Sequence, residues 1–225
     1  MDNRRQRSQA TQDALMRAAE KLIAERGLEK VSIRDIVTAA GQKNESALQY
    51  HFKNINGLIK AIHAQRSKET QAKRAELVDE LLGRTSQPTV RQICALMVQP
   101  AFDLARDDVG FKRYVKAFGH ELALSETSAL SRATTHGGGG SSGQQLGRLL
   151  MQALPHLDGH GFLRRMESAV RLCSASMYHQ ARQKNAFKGA DAELFLNSLI
   201  DALVGLFSAP ESDETKAIVA AASDH

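Results

Sequence analysis

Residues 32–52 read SIRDIVTAAGQKNESALQYHF, and this stretch decides the fold. Ser32 and Asp35 make an S-x-x-D capping pattern that opens a short helix, with Ile33, Ile36 and Val37 on its inner side. Gly41 ends that helix, and Asn44 is placed to cap the next one. In this second helix Ala47, Leu48 and Phe52 form a narrow apolar back, while Ser46, Gln49, Tyr50 and His51 are polar. A helix used only for packing carries a wider apolar stripe. Two short helices about a tight turn, the second with a hydrogen-bonding outer face, is the layout of a helix-turn-helix, whose second helix enters the DNA major groove.

The flanks agree with this reading. Leu15, Ala18, Ala19, Leu22 and Ile23 form an apolar stripe that predicts a helix over residues 8–26, stopped by Gly27. Residues 1–60 hold 11 Lys and Arg against 7 Asp and Glu, a balance of +4 out of +5 for the chain. Positive charge gathered there attracts phosphate and makes binding salt-dependent. Arg4, Arg5 and Arg7 form a basic arm that either enters a minor groove or stays unstructured. The N-terminus lacks the apolar core of a secretory signal, and no apolar run approaches the roughly 20 residues of a membrane span, so a cytoplasmic protein with no membrane partner is expected.

The rest of the chain reads as helices, giving an all-α fold of about nine. Asn54 caps a fourth helix reaching Leu82, with Leu58, Ile62, Leu77 and Leu81 inward. Pro88 suits the first turn of a fifth, and Pro100 should kink it. A sixth carries Phe111, Tyr114, Val115, Phe118 and Leu122 on one face. Thr134 to Gly143, TTHGGGGSSG, reads as a flexible linker. Helices over Leu146–Leu154, Phe162–Phe187 and a last one opened by Asp191 and Glu193 follow, Pro210 ending it and a frayed tail from Glu211 closing the chain. Cys94 and Cys173, far apart in apolar helical patterns, read as buried reduced thiols.

An N-terminal three-helix unit before an all-helical remainder resembles the TetR family of bacterial transcriptional repressors. The resemblance rests on residues 18–62: A-x-x-L-I-x-x-x-G from Ala19 to Gly27, S-I-R-D-I from Ser32 to Ile36, A-A-G from Ala39 to Gly41, and Y-H-F from Tyr50 to Phe52. The later two thirds match only in helix count and length. The turn from Gly41 to Ser46 is one residue longer than the commonest family version. Asn54-Ile55-Asn56 stands where family members often carry S-K-E with a phosphate-binding lysine, and Lys53 is the neighbouring substitute.

Lys43, Asn44, Ser46 and Gln49 are the candidates for reading base edges, since Asn and Gln pair with adenine and Lys reaches guanine acceptors. Ser32, Arg34, Tyr50, His51 and Lys53 are the candidates for phosphate contact. One such unit reads too few base pairs, so a homodimer on a palindromic operator is expected. Cys173, Met177, Leu199, Leu203 and Leu206, striped along the last two long helices, are the candidate dimer seam. The resemblance further implies domains at 1–54 and 55–210 with a tail at 211–225, and a small-molecule effector pocket in the second domain. Met97, Phe102, Phe111, Tyr114, Phe118, Met151, Met166 and Met177 are its candidate lining, suited to a hydrophobic or amphipathic effector.

Other chemistry is thinly supported. Gly139 to Gly143 matches G-x-S-x-G and Gly138 to Gly143 matches G-x-G-x-x-G, yet both need a preceding strand and none is visible. His156, Asp158 and His160 sit among Pro155, Gly159 and Gly161, which favours a turn over a metal site. No catalytic residue, metal or cofactor is expected. The alternatives are an all-helical enzyme or small-molecule-binding protein with an incidental basic N-terminus, and a DNA-architectural protein.

Overall fold

A computed structural model of the chain describes residues 2–135 and 139–223. These form eleven α-helices and one 3₁₀ turn, with no strand among the described residues. The first three helices are α1 (Asp2–Arg26), α2 (Ile33–Ala39) and α3 (Ser46–Phe52), and α4 (Ile55–Arg84) is a 30-residue rod. The series continues with α5 (Val90–Asp107), α6 (Val109–Phe118), α7 (Ala129–Thr135), α8 (Gly140–Ala153), α9 (Gly159–Ala181), α10 (Ala190–Ser208) and α11 (Asp213–Ser223).

Several boundaries depart from the sequence reading, each for a local reason. Nothing in residues 2–7 breaks a helix, so α1 begins well before Ser8 and carries Arg4, Arg5 and Arg7 on exposed helical turns. Asn44 stands two residues before α3; its Oδ1 accepts from the Ser46 backbone N–H at 3.2 Å, while Glu45 takes the capping position without a side-chain bond. Thr89 caps α5 in a reciprocal box with Gln92, so Pro88 lies one residue before the cap rather than in the first turn. That helix runs on through Pro100. α6 stops at Phe118, and the Gly119 carbonyl accepts from the Ser174 hydroxyl, so Leu122 lies in a turn. α9 ends at Ala181, and Phe187 is buried from the following turn, edge-on to Phe102 at 5.5 Å between ring centroids.

The glycine-rich segment is the largest departure. Residues 136–138 lie outside the described residues, but Gly140 to Gly143 form the first turn of α8 rather than a linker. Gly140 has φ +46° and packs so tightly on Gln71 of α4 that a Cβ would fall 1.8 Å from its Oε1. Packing against α4 overrides the poor helix propensity of glycine. The G-x-S-x-G match therefore sits on a helix start, and no strand occurs among the described residues before it. The tail is also helical: Ser212 Oγ accepts from the Thr215 N–H at 3.2 Å, and Asp213 and Glu214 face the positive end of α11.

Two apolar cores result. The smaller joins α1, α2, α3 and the first turns of α4 through Leu15, Ala19, Ile36, Leu48, Leu58 and Ile62, and it reaches Phe118 of α6. The larger runs from Val78 to Phe207 and draws on α4, α5, α6, α8, α9 and α10. Between them lies a buried ionic knot. Arg66 of α4 is bidentate to Glu20 of α1, at 2.7 and 2.8 Å, and also bonds Glu69 at 2.8 Å and Asp108 at 3.1 Å. Burial alone would lower the guanidinium pKa, but the hydrogen bonds to Glu20 and Glu69 hold it above its ordinary value.

No single helix among the described residues is long and apolar enough to cross a membrane; α10 with α11 passes that test only as a pair bent by 56°.

Candidate nucleic-acid interface and ligand cavity

The helix-turn-helix is built as its sequence says. Ser32 Oγ accepts from the Asp35 N–H at 3.1 Å, and Asp35 Oδ2 accepts from the Ser32 N–H at 3.0 Å. The Ser32 hydroxyl also donates to Asp35 at 2.6 Å, so it is committed within the cap. These bonds lower the Asp35 pKa. Gly41 takes φ +69° at the turn, with no atom near its missing Cβ. Leu48 and Phe52 bury the inner side of α3 and fix which residues face out.

That outer face is polar and open. Lys43, Asn44, Glu45, Ser46, Gln49 and Lys53 are all exposed, as is Arg34 on α2. Tyr50 is 78% exposed, and its ring meets that of His51 edge-on at 4.9 Å. His51 is half-buried, and its Nδ1 lies 3.2 Å from Gln12 Nε2, tying α3 to α1. Lys53 closes α3 with φ +67°, and Asn54 then caps α4 by accepting from the Gly57 N–H at 2.9 Å.

A cavity of about 590 Å³ opens among α4, α5, α6, α7, α8 and α9. Of the eight residues assigned to it from sequence, Met97, Phe111, Tyr114, Phe118, Met166 and Met177 line it. Phe102 does not: it is fully buried on the far side of α5, edge-on to Phe187 and stacked on Phe195. Met151 does not either, because it faces outward on α8 and is 49% exposed. Helical spacing alone does not say which inner residues meet a void and which meet one another.

The sequence also missed the polar lining. His63 of α4 lies 3.1 Å from the Tyr114 hydroxyl through Nδ1 and 3.2 Å from Glu121 through Nε2. Arg132 approaches the same carboxylate at 3.8 Å. Burial would raise the Glu121 pKa, but His63 and Arg132 bring it below its usual value. Arg74 donates from Nε to the Leu96 carbonyl at 3.3 Å, and burial lowers its pKa. All four of these polar residues lie in stretches that sequence patterning scores as ordinary helix surface.

The residues assigned to a dimer seam mostly face inward. Cys173 and Met177 line the cavity, while Leu199 and Leu203 are buried in the chain's own core and Leu206 is half-buried. The stripe seen on α9 and α10 is the side each helix turns toward the chain's own core. Burial pushes the thiols of Cys94 and Cys173 up to about 12, and neither is in a disulfide. No group of three or more possible metal ligands occurs among the described residues; Asp158 caps α9, and His156 Nε2 lies 3.2 Å from the Phe207 carbonyl.

Comparison with known proteins agrees with this architecture. Solved structures share the fold at low identity. A protein described as a TetR-family transcriptional regulator from Rhodococcus sp. gives a TM-score of 0.60 at 19% identity, over 86% of this chain and 98% of that one. FadR of Thermus thermophilus, a TetR-family repressor solved with lauroyl-CoA, gives 0.54 at 18% identity, over 90% and 97%. GusR of Salmonella enterica gives 0.50 at 18% identity, over 88% and 95%. No curated protein matches. Residues 15–62 match the family described as bacterial regulatory proteins of the tetR family, and residues 95–209 match the tetracyclin repressor-like C-terminal domain. The chain belongs to the TetR family of bacterial transcriptional regulators.

Proposed function

We propose that the protein is a repressor that binds a palindromic operator as a homodimer and releases it when a hydrophobic or amphipathic small molecule fills the cavity. Residues 1–54 form the reader and residues 55–210 the sensor. The observation that carries this is the sharing of α4. Its first turns hold Leu58 and Ile62 in the core of the reader, and its next turns place His63, Arg66, Thr70 and Arg74 on the cavity wall. A molecule that fits the cavity better in a shifted α4 geometry biases the DNA-reading units by that difference in affinity.

In this reading Gln49, Ser46, Lys43 and Asn44 meet base edges, while Arg34, Tyr50, His51 and Lys53 position the unit on phosphates. The dimer seam uses the outward faces of the two long helices. On α10 these are Leu194, Ser198, Ala202 and Gly205; on α9 they are Ser168 and Ala175. The small side chains among them, Ser168, Ala175, Ser198, Ala202 and Gly205, let a partner helix approach closely, forming a four-helix bundle across a twofold axis. The apolar effector class follows from the Met and Phe lining, and the lauroyl-CoA of the Thermus thermophilus protein is an example of an amphipathic ligand on this fold.

Selection of bound sequences from random duplex DNA tests the central claim: an enriched palindrome is expected, and enrichment of no palindrome would overturn it. Sedimentation equilibrium at micromolar concentration should show a dimer that Ala202→Glu converts to a monomer.

A further inference from the structure

A second concavity, of about 490 Å³, lies behind the reader and has no part in the regulation proposed above. Its walls are the end of α1, the junction of α5 and α6, one face of α6, and the turns after α9. Lys21, Lys112, Arg113, Lys116 and Lys188 line it, and none of the five is within ion-pair distance of a carboxylate among the described residues. Arg106 and Arg182 line it too, the first paired with Asp103 and Asp107, the second set over the Tyr178 ring at 5.4 Å. Glu25 is the one acid in the lining. With Asp103 and Asp107 counted against Arg106, seven cations face three acids, a balance of +4 in one hollow, where the whole chain carries +5.

Ordinary helix electrostatics does not explain this gathering. Cations are favoured at helix C-termini, which accounts for Arg106, Lys116 and Arg182 at the ends of α5, α6 and α9. Lys112 and Arg113 sit early in α6, close to its positive end, and Lys112 and Lys116 are like-charged neighbours at i, i+4, an arrangement that destabilises a helix. Asp108, four residues before Lys112, is engaged with Arg66 and with the Gly110 and Phe111 N–H groups. Like charge collected in a concavity focuses a field that concentrates anions.

We propose that this cleft binds a small polyanion carrying two or more phosphate groups, such as a nucleotide polyphosphate, separately from the apolar cavity. Its volume lies within the range of small-molecule sites. Five separated cations call for several negative charges on one molecule, and Lys and Arg together suit phosphate oxygens. The floor is apolar, with buried Ala105, Ala181 and Phe187, and Val109 stands 63% exposed at the edge, a place for a flat non-ionic portion of the ligand. The charges line a hollow rather than a ridge, which suits an inserted molecule better than a duplex laid across the surface.

Isothermal titration with inorganic tripolyphosphate and with ATP, at about 0.15 M salt, tests this. The variants are Lys112→Glu with Lys116→Glu, the milder Lys188→Ala, and a charge-matched control, Lys68→Glu with Arg148→Glu, on exposed positions of α4 and α8. Circular dichroism checks that each is folded. One site per protomer is expected in the wild type and the control, weakened about tenfold or more by the Lys112 and Lys116 pair and measurably by Lys188→Ala. Absence of binding, or equal loss in control and cleft variants, would overturn it. So would tighter binding of a non-operator duplex than of tripolyphosphate, lost with the same cleft variants, which would assign the cleft to nucleic acid.

Discussion

The two cores of this molecule are built on different plans. The reader's core is small and closed: the stretch Leu15 to Ile23 of α1 meets two seven-residue helices, and caps at Ser32 and Asn54 fix where α2 and α4 begin. The sensor's core is larger and hollow. Six helices surround it without filling it, and the void carries charged and polar groups on part of its wall. A filled core has one arrangement; a hollow one has slack that an occupant can take up. On the proposed reading the closed core serves as the instrument and the hollow one as its adjustable mount, and the ionic knot of Glu20 and Arg66 fastens the two.

The firmest way to break this comparison is to cut that fastening. Arg66→Met leaves the Glu20 carboxylate buried at 2% exposure without its counter-charge, and a loss of about 3–5 kcal/mol in urea unfolding is expected. The double variant with Glu20→Leu should regain most of it. A Glu20 site that tolerates Arg66→Met without loss would mean the cores are independent. Next in size, Gln49→Ala should change DNA preference by about 1–3 kcal/mol at one base position and leave thermal unfolding unchanged. A competition assay with single-base operator variants reads this, and uniform weakening across all of them would demote Gln49 to a positioning role.

Glu167 sharpens the sensor side. It accepts from the Ala129 and Leu130 N–H groups at 2.7 and 2.9 Å and from the Ser128 hydroxyl at 2.8 Å, pinning the start of α7 to α9. Burial alone would raise its pKa, but these bonds and Arg171 hold it at about 2, against 4.5 for an ordinary glutamate. A depressed carboxylate contributes stability above its unfolded pKa and loses it as pH falls through the folded value. Glu167→Gln should therefore cost about 1–2 kcal/mol at neutral pH, the scale of a lost helix cap. The gap to wild type should close as pH falls from about 4.5 to about 2. A gap constant with pH would mean the charge is immaterial. The smallest effect is at the reader's turn. Gly41→Ala meets no steric neighbour, so only the strain of φ +69° counts, about 1 kcal/mol by thermal melt.

The same contrast decides what could be read from the chain in advance. The reader was legible because its signals are local: Ser32 and Asp35 are three residues apart, Gly41 marks its own turn, and Tyr50 to Phe52 close the motif. In the sensor the decisive relations are distant. His63 meets Glu121, Glu167 caps a helix 38 residues earlier, and Gly140 is fixed by Gln71. No periodicity records such pairings, so the glycine run reads as slack chain when it is a helix start. Inner faces were found correctly on α6 and α9. Which inner residue borders the void was not, as Phe102 shows, because that depends on how six helices fail to fill the space between them.

The length of α4 has a mechanical consequence. Thirty residues at about 1.5 Å each make a rod of about 45 Å. If its far end, near Arg84, is the pivot, a tilt of about 5° carries the near end through about 4 Å. That exceeds the rise of one base pair, about 3.4 Å. The same tilt moves Arg74, ten residues from that pivot on the cavity wall, by only about 1.3 Å, so on the proposed reading a small adjustment beside the hollow core grows threefold by the time it reaches α3.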